Sequence, residues 1–209
     1  LKPAHGSLGL GIIRVERMSG GGMHYTVYRS GIHHGRASSA AEFLHRTQGS
    51  RKQMLYIVQQ GIDLARVAGS VFDLRVILQK DRHGEWRLTK RVARIAPPGS
   101  QVSNLRRGGR AVSGERVMRR LFRNNKSLLQ EKNDELLTLC IMIADTIEQK
   151  SGKIFGELGL DIGIDNSRRW WLIEVNSKPR KTTETEASQR IMRQSFLRPL
   201  EYATWLAGF

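Results

Sequence analysis

The sequence predicts an α+β protein built on antiparallel strand pairs, and three stretches carry that expectation. Val71 to Gln79 alternates apolar and polar residues, turns at Asp81-Arg82-His83-Gly84, and returns over Glu85 to Ile95. Glu157 to Asn176 reads as a second pair of strands around the polar turn Asp165-Asn166-Ser167-Arg168-Arg169. Between them, Leu128 to Lys150 repeats Leu136, Cys140, Ile143 and Ile147 at helical spacing, a buried stripe.

Composition limits the function classes. A chain of 209 residues holds one large domain or two small ones. Apolar content of 39% with 26% charged residues describes a soluble globular chain rather than a disordered one. Cys140 is the sole cysteine, so no internal disulfide can form, and its apolar helical setting marks it as inert packing. No Cys/His spacing suggests zinc. The longest apolar run, Leu136 to Ala144, is too short to cross a bilayer, and no signal-peptide pattern is present, so a cytoplasmic location and no membrane partner are expected. Lys and Arg number 35 against 19 Asp and Glu, a net charge of +16. Such an excess implies an anionic partner: a nucleotide, a nucleic acid, an acidic polymer or an anionic surface. The charge is spread along the chain, not gathered in a basic tail.

Taken in order, Leu1-Lys2-Pro3 reads as the end of a strand, so an N-terminal portion is expected to be missing. Gly6, Ser7, Gly9 and Gly11 form a glycine-rich loop that can turn backbone N–H groups toward phosphate oxygens, with Lys2 as a nearby point charge. Ile12 to Arg17 and Met23 to Arg29 form a hairpin around Gly20-Gly21-Gly22. His33-His34 falls in a glycine-bounded loop at the surface. Ser38 opens a short helix to Arg46, and Gln53 to Gln59 is an apolar strand, completing a β-β-α-β unit. On the strand from Val71, Asp73 and Arg75 share a face, which suggests a plain ion pair, while Arg91 and Arg94 are exposed by default. Pro97 to Val112 is a long irregular loop whose arginines and glycines suit closure over an anion. Ser113 starts a helix to Asn124, and Glu184 to Ala207 closes the chain as a helix.

Chemistry concentrates on the second strand pair. If residues 166–169 form its loop, Asp165 stands opposite Trp170 and Asp161 opposite Glu174. Glu174 and Asn176 then share one face, with Trp171, Ile173 and Val175 on the other. Two facing carboxylates repel, and a cation relieves that. Asp, Glu and an Asn carbonyl are hard oxygen ligands suited to Mg²⁺; the alternative is a solvated acidic face.

These motifs, in this order, resemble the ATP-grasp superfamily, and within it the YheC/YheD group of endospore coat-associated proteins. The carrying stretches are LKPAHGSLGLGI, VQQGIDLARVAGSVFDLRVILQKDRHGEW, VARIAPPGSQVSNLRRGG, GELGLDIGID and WLIEVNSKP, which cover nearly the whole chain. The resemblance implies an ATP-grasp fold of two α+β subdomains with the nucleotide between them and a preceding domain missing. Residues 1–61 would be a small lid subdomain with the glycine-rich loop, and 62–209 a large subdomain with the metal-binding hairpin. By the same resemblance Lys2, Gly6, Ser7 and Gly9 attend the phosphates, Gln60 and Ile62 the adenine edge, and Asp63 the ribose. Arg75 and Arg94 neutralise the γ-phosphate or an acyl phosphate, Asp161, Glu174 and Asn176 hold Mg²⁺, and Asn104 and Arg106 line the acceptor side. Gln60 stands where many relatives carry Glu, and Lys178 and Arg180 put two cations where the ligases carry small residues. The implied function is an ATP- and Mg²⁺-dependent carboxylate–amine ligase associated with spore coat components, its acid and amine substrates unnamed. The rivals are a non-catalytic nucleotide-binding coat protein and a nucleic-acid binder. Against the last, the sequence shows no motif for base reading or aromatic stacking.

Overall fold

The computed structural model describes residues 1–4, 10–29, 31–51, 54–98, 100, 103, 108–181 and 189–209. The chain divides into two compact units, Leu1–Asp63 and Leu64–Phe209.

The first unit opens with β1 (Lys2–Pro3). A three-stranded antiparallel sheet follows, β2 (Ile12–Arg17), β3 (Met23–Tyr28) and β4 (Ile32–Ala37), and then α1 (Ala40–Arg46), α2 (Gln48–Arg51) and β5 (Tyr56–Ile57). Ser39 caps α1 by accepting from the Glu42 N–H, as expected of a serine just outside a first turn. Ile13, Val27, Ala37 and Phe43 form the core of this unit. Two sequence expectations are corrected here. His33 and His34 lie in strand β4, because their backbones complete the sheet edge against Val27 and Thr26. The strand expected over Gln53 to Gln59 is the two-residue β5 among the described residues, where it pairs Lys2 with Ile57 and Pro3 with Tyr56.

The second unit is a wholly antiparallel sheet with helices on both faces. Its elements are β6 (Arg66–Val67), β7 (Ser70–Lys80), β8 (Trp86–Ile95), β9 (Arg110–Ser113), α3 (Gly114–Leu121), α4 (Lys126–Ser151), β10 (Glu157–Ile164), β11 (Trp170–Asn176) and α5 (Gln189–Leu206). The spatial order is β11-β10-β7-β8-β9, with β6 hairpinned onto the start of β7. Arg110 to Val112, expected within an irregular loop, instead belongs to β9 and pairs with Ile95 to Ala93. Leu74, Val76 and Leu78 of β7 and Leu158, Leu160 and Ile162 of β10 face α4, whose Leu136, Cys140 and Ala144 are fully buried. Ile143 and Ile147 pack at the margin of this core. Burial pushes the Cys140 thiol up to about 12, in keeping with an unreactive packing role.

Helix α5 covers part of the opposite face. Pro199 has no N–H, so the Ser195 carbonyl lacks its helical partner. Gln79 Nε2 donates to that carbonyl at 2.8 Å, and Arg198 reaches Thr89 Oγ1 at 2.6 Å, so the proline break becomes a docking point. Among the described residues no helix is long and apolar enough to cross a membrane.

Candidate functional site

Sheet register assembles the site on the face that α5 leaves partly uncovered. Antiparallel pairing sets Arg75 of β7 opposite Asp161 of β10, and Asp161 opposite Glu174 of β11. Residues paired across a sheet share a face, so the three line up in one row. The neighbouring row holds Lys90, Ile77, Gly159 and Asn176. On the other side Asp73 pairs with Arg94.

Within these rows the charges interlock. Arg75 donates to both oxygens of Asp161, with Nη2 to Oδ2 at 2.9 Å. Arg94 lies between two acids, Nε to Asp73 Oδ1 at 2.6 Å and Nη2 to Asp161 Oδ2 at 2.8 Å. Ser103 Oγ also donates to Asp73. The Asp161 side chain is 4% exposed and that of Asp73 7%, so neither carboxylate is solvated and each relies on its arginine. Burial is the largest influence on Asp73 and, helped by the nearby charge of Asp161, carries its carboxyl above the ordinary range although Arg94 pulls it down. Burial works against the Arg94 charge, but the carboxylates of Asp73 and Asp161 outweigh it and hold its pKa above the usual arginine value.

Four sequence expectations change. Asp73 pairs with Arg94 and not with Arg75, because a two-residue spacing shares a face while the neighbouring strand supplies the closer guanidinium. Arg94 is mostly buried rather than exposed. The hairpin loop is one residue longer than expected: Ile164, not Asp165, pairs with Trp170. A bulge beside Ile173 recovers the register, so Asp161 still meets Glu174. The bulge also breaks the alternation. Trp171 pairs with Gly163 and so joins the face of Asp161 and Glu174 instead of the reverse face. Asp165 is freed to organise the turn, accepting from Arg169 N at 3.0 Å, Arg169 Nε at 3.0 Å and Trp171 Nε1 at 2.9 Å.

Glu174 is exposed and has no ion pair among the described residues. The Nδ2 atom of Asn176 is buried with no hydrogen-bond partner among the described residues. No cluster of three or more His, Cys, Asp or Glu side chains occurs among the described residues, so the predicted metal set amounts to two acids and one amide. Two cavities of about 340 and 350 Å³ lie elsewhere, one beside Lys80 and Glu148, the other beside Lys90 and Asn133; neither is lined by Arg75, Asp161 or Glu174.

The structure thus brings together Arg75, Arg94, Asp161, Glu174 and Asn176. Lys2, Gln60, Ile62 and Asp63 belong to the first unit: Lys2 is half-buried on β1, Gln60 and Asp63 are exposed, and Ile62 is half-buried. Gly6, Ser7, Gly9, Asn104 and Arg106 lie outside the described residues. Sequence reasoning missed Asp73 and Ser103 as members of the cluster. For Asp73 the signal was its place two residues before Arg75; for Ser103 none existed.

Paired acids and arginines on one sheet face of an α+β unit equip a protein to handle anions such as phosphates and carboxylates. Sequence comparison makes the class specific. The chain belongs to the ATP-grasp family described as YheC/D like ATP-grasp, whose family model matches residues 1–206. It is 29% identical over 217 residues to the endospore coat-associated protein YheD of Bacillus subtilis (strain 168), a match covering 99% of this chain and 45% of that protein. It is 24% identical over 211 residues to the endospore coat-associated protein YheC of the same organism, covering 99% of this chain and 55% of that protein. The chain spans about half the length of these curated relatives.

Proposed function

We propose that the chain binds ATP with Mg²⁺ and acts in a carboxylate–amine ligase that works through an acyl phosphate, in association with the endospore coat as its relatives are named. The observation that carries this reading is the convergence of Arg75 and Arg94 on Asp161, in register with the exposed Glu174, in a chain of ATP-grasp ancestry.

The side chains fit a hard cation. Glu174 and Asn176 offer oxygen ligands on adjacent rows of one face, and Asp161, whose two oxygens are held by Arg75 and Arg94, would join them by sharing an oxygen with the cation. Turning the Asn176 amide end for end exchanges its orphan Nδ2 for an oxygen, which needs a cation or donor in that place. When bound, Mg²⁺ supplies positive charge that draws off charge developing on the transferred phosphoryl group. Arg75 and Arg94 set guanidinium N–H donors beside Asp161, where γ-phosphate or acyl-phosphate oxygens would be met by them. Lys2, Gly6, Ser7 and Gly9 serve the phosphates in this reading, Gln60, Ile62 and Asp63 the nucleoside, and Asn104 and Arg106 the acceptor.

Thermal unfolding with ATP tests this. At a hundred times the dissociation constant, binding adds about 2.7 kcal/mol to stability. A rise in midpoint with ATP that requires Mg²⁺ and disappears in Glu174→Ala is expected; no rise in the wild type rejects nucleotide binding. Glu174 is exposed, so its removal alone changes stability by about 0.5 kcal/mol or less. Release of ADP on adding carboxylic acids and amines separates the ligase from a nucleotide binder without turnover.

A further inference from the structure

Beyond Asn176 the chain crosses onto β10. Pro179 is buried, and a Cβ added to Gly159 would stand 2.8 Å from Pro179 Cβ and 3.7 Å from Arg75 Cδ. Pro179 therefore sits on Gly159 beside the stem of Arg75, at a position only glycine leaves open. Two residues later, Lys181 Nζ meets Glu157 Oε2 at 2.8 Å, and that carboxylate also accepts from Gln79 Nε2 at 3.0 Å. Residues 177–181 are thus pinned along β10 at Pro179 and Lys181. Lys178 and Arg180 flank the pinned proline with exposed side chains, and neither has an ion pair among the described residues. Arg75 and Arg94 are balanced by Asp161 and Asp73, and Lys181 by Glu157. Among the described residues the two flanking charges are surplus.

We infer that Lys178 and Arg180 are specificity-determining residues that select an acceptor carrying a second anionic group, a carboxylate or a phosphate, besides the carboxylate to be activated. This rests on the ligase reading for the role of the acceptor, while the anion site stands on its own geometry. An exposed cation is unremarkable on a chain of charge +16. What sets these two apart is the held backbone. A proline with fixed φ between them, seated on Gly159, and the Lys181–Glu157 pair just beyond them remove much of the ordering cost that weakens binding to free surface lysines. The lysine contributes a point charge and the arginine a two-pronged donor, so one anionic group can engage both. Pro179 packs beside the Arg75 stem, so the backbone that carries both cations runs past the group that would stabilise the acyl phosphate.

The test uses the whole chain and fluorescein-labelled tetrapeptides of glutamate, phosphoserine and glutamine, followed by anisotropy at about 50 and 200 mM salt. The two anionic peptides are expected to bind and the glutamine peptide not to. Tighter binding of the glutamate or of the phosphoserine peptide identifies the anion as carboxylate or phosphate. Lys178→Gln with Arg180→Gln should weaken binding about tenfold or more. Gly159→Ala, which displaces Pro179 while keeping both cations, should weaken it in the same direction. Unchanged affinity in the double variant, or equal binding of the glutamine peptide, overturns the inference. Thermal stabilisation by ATP and Mg²⁺, measured on the same samples, should survive in the double variant. Its absence from the wild type alongside anion binding through Lys178 and Arg180 would reject the nucleotide reading alone.

Discussion

Arg94 on β8 reaches past the intervening strand β7 to Asp161 on β10, with Nη2 2.8 Å from Oδ2. The same guanidinium holds Asp73 through Nε at 2.6 Å, so one buried cation serves two buried carboxylates.

Arg94→Met removes that cation and strands Asp73, while Asp161 keeps Arg75. Breaking a buried pair in this way costs about 3–5 kcal/mol. The loss should shrink at lower pH. Asp73 already lies above the ordinary carboxyl range through burial, and without Arg94 its neutral form gains further. A carboxyl whose folded value exceeds its unfolded value of about 3.9 binds a proton on folding, so stability falls as pH rises through that interval. Urea unfolding followed by tryptophan fluorescence reports the second unit, which contains Trp86, Trp170, Trp171 and Trp205. A smaller deficit at pH 5 than at pH 8 is expected; equal deficits would contradict the assignment.

Asp165 has the opposite sign. Burial opposes its charge, but hydrogen bonds from Arg169 and Trp171 win and hold its carboxyl below the ordinary range. The stability it contributes is therefore present above about pH 3.9 and is lost as pH falls through its lower folded value. Asp165→Ala should cost about 1–3 kcal/mol at pH 7, since Trp171 Nε1 and the Arg169 N–H lose their acceptor. That cost should diminish at pH 3. Urea midpoints at the two pH values decide it.

Gly22 closes the β2–β3 hairpin at φ 78°, and a Cβ there would stand 2.7 Å from the Ala37 carbonyl oxygen. A backbone oxygen cannot swing aside as a side-chain tip does. Gly22→Ala should destabilise the first unit by about 2 kcal/mol or more, combining a left-handed backbone with overpacking. Amide hydrogen exchange over β2, β3 and β4 should quicken roughly 30-fold where it proceeds by unfolding of that sheet.

Strand and helix identities were legible where the periodicity was long. β7, β8, β10 and α4 bury enough side chains on one face to leave a clear pattern in the chain. The short edge strands β4 and β9 were not, because their backbones are recruited by a neighbouring strand and leave no alternating pattern of their own, and β5 was legible as a strand but not in its length. Asp161 opposite Glu174 could be expected from turn counting, yet the structure reaches it through a longer loop and a compensating bulge. The expected pair of Asp73 with Arg75 failed because spacing along a strand says which face a charge occupies and not which charge on the next strand comes closest.

The sequence by itself determined the α+β class, the long strand pairs, the charge excess and the acids and arginines those strands carry. Those properties reside in local spacing and composition, which a chain carries before it folds. Tertiary structure decided that Arg94 links Asp73 to Asp161, that Ser103 joins them, and that Pro179 rests on Gly159. Such pairings depend on register and on bulges. A shift of one residue between strands changes every cross-strand partner while leaving the sequence pattern the same.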